Sequence, residues 1–249
     1  MWMFFQPISN KPALFIPQFE ALVLSDLHIG IENELREYGV YADSKISQME
    51  SMILEIYDEY KPKEIIFLGD IKHSIPSTPF YEKKHLYEFL KRLQSYAKIH
   101  IIPGNHDGSI KTMIPDDIII HGSDGYQKDI CGFFHGHRWP SEKIMQSKYV
   151  FCGHTHPTVR LTDRLGYNSY EPCWIKTPIN IDSVKERYKS YNIDIIMVIL
   201  PVFNPLCGGS AVNVEGIVGP IDHLVDEEKA EIYLLDGTSI GTLKQLRKK

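Results

Sequence analysis

The sequence contains no run of about 18 apolar residues, the length a membrane-spanning helix requires. Its longest apolar stretch, residues 195–202, has the length of a buried strand. The opening residues, MWMFFQPISNKP, lack a charged segment leading into a long apolar one, so no secretory signal is expected. Cysteine is scarce. Cys131, Cys152, Cys173 and Cys207 are widely spaced and form no CxxC pair, which speaks against a zinc knuckle or a disulfide framework. Positive charge is not in excess either. With 27 Lys and Arg against 32 Asp and Glu the net charge is −5, so no global field favours nucleic acid. The basic tail from Lys244 to Lys249 reads as a solvated end. Repeats, low-complexity tracts and Ser/Gly linkers are also missing. Residues 1–249 are therefore expected to form a single domain in the cytoplasm, with reduced thiols and no membrane partner.

What the sequence does have is a series of short apolar segments in a chain long enough to bury a sizeable core. Residues 13–16, 22–25, 65–68, 99–102, 118–121, 132–135, 149–152, 195–200 and 231–235 read as strands. Their near-continuous apolar character suits strands covered on both faces. Residues 44–60 read as a helix with Ile46, Met49, Ile53, Ile56 and Tyr60 on one face and Asp43 or Ser44 as its N-cap. Residues 80–96 form a second, carrying Tyr87, Phe89, Leu90 and Leu93, and a third lies near 182–190. Gly237 after Asp236 marks a hairpin turn. Strand and helix alternate early and strands dominate later, an order that suits an α/β sandwich of two packed sheets with helices outside.

The chemistry gathers at strand ends. Apolar runs end in Asp26-Leu27-His28, in Gly69-Asp70, in Gly104-Asn105-His106-Asp107, in His135-Gly136-His137 and in Gly153-His154-Thr155-His156. The carboxyl ends of strands are where open α/β sheets bind ligands. Asp26 and His28, two apart, project to the same side of an extended end. Taken singly, Asp26-x-His28 is no more than a structural pair and Gly69-Asp70 no more than a turn. The clustering is what matters, since six of the eleven histidines fall in these motifs. The combined donor set is Asp, His and Asn without Cys, which suits borderline and hard divalent metals. It exceeds what one tetrahedral ion needs and so implies two ions, for which Asp70 fits the role of bridge. Two ions about 3.5–4 Å apart can generate hydroxide near neutral pH and clamp a phosphoryl oxygen.

As a series, these motifs resemble the calcineurin-like metallophosphoesterase superfamily. Within it, SDLHIG at 25–30, GDIKH at 69–73 and NPLCGG at 204–209 are similar to an archaeal phosphoesterase group related to the SbcD/Mre11 nucleases. The resemblance implies a four-layer αββα sandwich of two mixed sheets flanked by helices. It also implies one ion on Asp26, His28, Asp70 and His156 and another on Asp70, Asn105, His135 and His154. Manganese is the expected metal, with iron, zinc or nickel as alternatives. His106 would contact the phosphate and protonate the leaving oxygen, and Asp107 would orient it. His73, where the related nucleases also carry a histidine, is read as touching substrate, with an idle loop histidine as the alternative.

The remaining readings concern the surroundings. His137 is placed near the site without ligating. Arg138 is read as a surface ion pair, with bidentate contact to phosphate as the alternative. Residues 204–209 are read as a turn between core strands, the other reading being a loop that reaches back over the site. The expected activity is hydrolysis of phosphate esters, with diesters ahead of monoesters and substrates extending to nucleotides or nucleic acid. Self-association is compatible with the sequence. A catalytically silent interaction scaffold is the contrasting possibility; it predicts eroded ligands, and none is missing.

Overall fold

Successive side chains of a strand point to opposite faces, and here each face meets a different core. In β3 (Ala21–Leu24), Leu22 and Leu24 pack under helices while Ala21 and Val23 pack toward a second sheet. In β4 (Glu64–Phe67), Ile65 and Phe67 take the helix side and Ile66 the sheet side. The same division recurs in the other sheet. Val150 and Cys152 of β9 (Tyr149–Cys152) face helices, and Phe151 faces the first sheet. Three cores separate four layers, which gives the αββα sandwich. The structure is a computed structural model describing residues 4–247. The first residues of the N-terminal segment and the last two lysines of the basic tail lie outside the described residues.

The first sheet runs β1 (Gln6–Pro7), β2 (Leu14–Ile16), β3, β4, β5 (Lys98–Ile101), β6 (Ile119–Ile120) in spatial order. It is antiparallel through β1, β2 and β3 and parallel from β3 to β6. The second contains β7 (Tyr126–Lys128), β8 (Cys131–Phe133), β9, β10 (Pro157–Thr162), β11 (Asn168–Pro178), β12 (Ile196–Ile199) and β13 (Ser210–Ala211). A hairpin of β14 (Glu231–Leu234) and β15 (Ser239–Thr242) joins it along β11, turning at Gly237 as expected. At its centre β8, β9 and β12 run parallel. The parallel strands end in register, Leu24 beside Phe67 and Phe67 beside Ile101 in one sheet, Phe133 beside Phe151 and Cys152 beside Ile199 in the other. The loops that leave these ends carry the candidate ligands.

Helices α1 (Ile31–Glu37), α2 (Ile46–Tyr60) and α3 (Phe80–Gln94) follow strands of the first sheet. Helix α2 buries Met49, Ile53 and Ile56, and α3 buries Leu86, Phe89, Leu90 and Leu93, spacings that keep one stripe on the core. Helix α4 (Ile181–Arg187) and the short α5 (Val212–Glu215) and α6 (Leu243–Leu246) lie against the second sheet. Among the described residues, no helix is long and apolar enough to cross a membrane.

Some local expectations need correction. Helix α2 starts at Ile46 after Lys45 and has no side-chain cap, so neither Asp43 nor Ser44 serves as its N-cap. The tail is not simply solvated. Thr242 and Gln245 form a capping box that winds α6, with Lys244 paired to Glu228 and Arg247 to Glu227. Helix α1, the β10–β11 hairpin and β7 carry too few apolar residues in a fixed period to be read as elements.

Phe151 is fully buried between the sheets, edge-on to Phe5 at 5.1 Å and stacked on Phe133 at 5.4 Å. Phe151→Ala should lower unfolding stability by about 3–5 kcal/mol in urea titrations. Phe80→Ala, at a side chain 83% exposed, should change it by no more than about 0.5 kcal/mol.

Candidate metal centre

Five candidate ligands sit in the left-handed backbone region: Asp26 (φ 57°), His28 (φ 42°), Asp70 (φ 50°), His154 (φ 72°) and His156 (φ 42°). Such residues are uncommon outside glycine and persist where surrounding structure holds them. The holding groups are backbone hydrogen bonds between loops. Asp26 N donates to Gly69 O at 3.1 Å, His28 N to Asp70 O at 2.8 Å and Gly153 N to His135 O at 2.9 Å. The glycines allow the close approach. A Cβ on Gly104 would lie 2.1 Å from Asp70 Oδ1, and one on Gly153 would lie 1.7 Å from Ser25 Oγ.

Three groups of side chains each offer ligand atoms within 4.8 Å of one another: Asp26, His28 and His156; Asp70, His135 and His154; and His28, His73 and His106. In the first, Asp26 Oδ1 lies 3.3 Å and His28 Nε2 3.4 Å from His156 Nε2. In the second, His135 Nε2 lies 3.3 Å from both Asp70 Oδ2 and Asn105 Oδ1. Asp70 Oδ2 also lies 3.7 Å from His28 Nε2, so one carboxylate oxygen faces both of these groups. All seven residues expected as ligands therefore converge.

The arrangement suits cations. Among the described residues Asp26 Oδ1 is buried without a hydrogen bond, an arrangement that is costly unless positive charge faces it. Its other oxygen, Oδ2, accepts from Ser25 Oγ at 2.5 Å and from His154 N at 3.0 Å. Backbone carbonyls fix the ring orientations. His135 Nδ1 donates to Leu68 O at 2.6 Å and His156 Nδ1 to Gly208 O at 3.2 Å, leaving both Nε2 atoms inward. Burial and the nearby carboxylates Asp26 and Asp70 push the Cys207 thiol well up.

Burial lowers the pKa of His28 to about 3 against the pull of Asp26, and lowers His154 to about 4. Burial would lower His135 as well, but its hydrogen bond to Asp70 and the charges of Asp26 and Asp70 outweigh that and raise it to about 9. Asp26 is buried too, yet His156, His135 and His28 hold it far below the usual carboxylate range.

His106 stands beside the ligands, its Nε2 4.0 Å from Asp70 Oδ2 and its Nδ1 donating to His73 O at 2.5 Å. One expectation about its neighbours is corrected. Among the described residues no hydrogen bond joins Asp107 to His106. Asp107 instead accepts from Ile71 N, Lys72 N and Gly104 N, tying the two loops together, because its buried side chain points under the turn. The two ring nitrogens of His73 are engaged by His28 and Glu34.

Around the centre, His137 lies near His135 and His154, with ring centroids at 5.2 and 6.2 Å. Arg138 donates to Ser123 Oγ at 2.7 Å instead of forming an ion pair among the described residues. Residues 204–209 do connect β12 to β13, yet they also reach back to the site. The buried Asn204 donates to Leu27 O at 2.7 Å, and Gly208 O accepts from His156. Sequence reading missed Ser25, Glu34 and Glu82, whose polar atoms meet these loops. Only Ser25 adjoins a motif residue closely enough to have been noticed.

A family model described as the calcineurin-like phosphoesterase superfamily domain matches residues 19–168, a span that includes every candidate ligand. Among solved structures, the nuclease MPE of Pseudomonas putida is similar at 20% identity over 93% of this chain and 97% of its own, with a TM-score of 0.57. At that identity the likeness is one of fold. The E. coli phosphoesterase Yfce is 15% identical over 89% of this chain and 96% of its own, with a TM-score of 0.43.

The raised His135 pKa sets the sign of a pH effect. Below about pH 9 the metal-free ring holds a proton that an incoming ion must displace. Apparent Mn²⁺ affinity should therefore rise from pH 6 toward pH 9, by roughly tenfold per unit for each proton displaced. Calorimetry in buffers of different ionisation enthalpy would count those protons, and a pH-independent affinity would contradict the assignment of His135 as a ligand.

Proposed function

Because the chain belongs to the calcineurin-like phosphoesterase superfamily, we propose that it is a two-metal phosphoesterase acting on phosphate esters, with phosphodiesters favoured. The observation that carries this reading is the Asp70 carboxylate, one oxygen of which faces His135 of one ligand group and His28 of the other. Asp26, His28, Asp70 and His156 would hold one ion, and Asp70, Asn105, His135 and His154 the other. Manganese is the proposed metal, with iron, zinc or nickel as alternatives, because nitrogen and oxygen donors without thiolate suit divalent ions of these kinds. When bound, such a pair lowers the pKa of water and neutralises phosphoryl charge. The four free cysteines agree with a reducing, cytoplasmic setting.

The protein's own groups would do the rest. Asn105 brings a neutral carbonyl oxygen beside His135, adding a donor without adding charge. His106 commits its Nδ1 proton to the His73 carbonyl, so Nε2 is the atom left to carry a proton to a departing oxygen. Asp107 holds the turn that presents His106 by accepting from Gly104 N at 2.9 Å. A silent scaffold would need none of these alignments.

Purified protein reconstituted with Mn²⁺, Fe²⁺, Zn²⁺, Ni²⁺ or Mg²⁺ should bind two ions per chain and hydrolyse at least one class of phosphate ester. A fully metal-loaded protein inert toward diesters, monoesters and single-stranded nucleic acid alike would sink the enzymatic reading.

His106→Asn should keep both ions and slow hydrolysis by about 10²–10⁴ for alkyl or nucleoside esters, the range of one general acid. Nitrophenyl esters, whose leaving group departs without a proton, should be affected least. Rates across leaving groups of rising pKa decide the point. A uniform loss would assign His106 to phosphate binding, and lost metal would make it a ligand.

A further inference from the structure

Glu34 lies on α1, outside every strand-end motif, yet its carboxylate rests against His73 Nε2. His73 Nδ1 lies 3.1 Å from His28 Nδ1. The other nitrogen of His28, Nε2, faces His156 Nε2 and Asp70 Oδ2. A neutral imidazole carries one proton, on one nitrogen. If His28 offers Nε2 to an ion, which rests on the two-metal reading above, its proton must sit on Nδ1. His73 Nδ1 must then accept it, so His73 carries its own proton on Nε2, where the Glu34 carboxylate accepts. The reverse polarity fails at both ends. It would place a proton on His28 Nε2, and it would set a bare His73 Nε2 against a carboxylate, acceptor against acceptor.

We propose that Glu34 and His73 are positioning residues, a carboxylate–imidazole relay that holds His28 as its Nδ1–H tautomer with Nε2 turned inward. Partners behind a metal-ligating histidine set its tautomer and raise its basicity. The relay is built into the fold. His73 N donates to Ile29 O at 3.0 Å and to Glu82 Oε1 at 3.2 Å, and Glu82 also accepts from Ser74 N at 3.0 Å. Glu82 is fully buried, and Gly30 leaves room for it, since a Cβ there would lie 2.4 Å from Glu82 Oε2. Glu34 follows His28 by six residues, so the helix that leaves the ligand loop also returns the carboxylate to it. His73 thereby orients two imidazoles, His28 through its ring and His106 through its carbonyl oxygen.

The test is calorimetric titration of Mn²⁺ into the metal-stripped full chain, with nitrogen-15 histidine spectra of the Zn²⁺-loaded protein. Wild type should bind two ions. Glu34→Gln and His73→Phe should each weaken one ion about 10- to 100-fold and leave the other within about threefold. Their combination should lose little more than the worse single variant, because both act through one chain of hydrogen bonds. The spectra should place the proton on Nδ1 of His28 and on Nε2 of His73, which a merely structural role would not require. Wild type with two ions and variants that bind both as tightly would overturn the relay alone, as would a His73 proton on Nδ1. Wild type that takes up fewer than two ions would overturn the two-metal reading together with the relay. The tautomer measurement uses wild type, so a variant that fails to fold does not remove the test.

Discussion

Asp26 and Asp70 are carboxylates almost wholly removed from water, and a buried anion is stable only beside donors or positive charge. Each splits its two oxygens between these demands. One oxygen is satisfied by the protein, through Ser25 Oγ and His154 N for Asp26 and through His106 N for Asp70. The second faces imidazole nitrogens at 3.3 Å, His156 for Asp26 and His135 for Asp70. The loops, their glycines and the carbonyls behind the rings all serve to keep that second oxygen directed at the shared space.

Keeping it there has an energetic cost. Five candidate ligands adopt left-handed backbone angles, and strained conformations of this kind cost roughly 1–3 kcal/mol each. The compensation lies in the layers beneath. The strands that deliver these loops are apolar on both faces and buried in three cores, which leaves their ends little freedom to shift. Two sheets ending side by side let carboxylates of the first meet histidines of the second. The first sheet supplies Asp26, His28, Asp70 and Asn105, and the second supplies His135, His154 and His156.

The centre also draws on chain beyond the span that matches the superfamily model, residues 19–168. Gly208 O orients His156, and Asn204 braces the carbonyl of Leu27 between two candidate ligands. Helix α1 adds Glu34 and α3 adds Glu82, both reached through His73 and Ser74. Residues outside the motifs thus set the orientation of residues inside them.

The sequence by itself determined the apolar strands, the two long helices and the identity of the seven candidate ligands that converge. Near-continuous apolar runs that end in Asp, His or Asn are local patterns, visible without knowing what lies opposite. Tertiary structure alone decided which oxygen of Asp70 faces both groups, that Asp107 braces the turn carrying His106 without bonding its ring, and that His73 turns toward His28 and Glu34. It also decided that residues 204–209 reach the site, and it formed the β10–β11 hairpin, whose polar outer half has no apolar period to announce it. Those outcomes depend on the direction of side chains brought together from distant positions. His28 meets a partner 45 residues away in His73 and another 128 residues away in His156, and no local pattern encodes the geometry of such pairs.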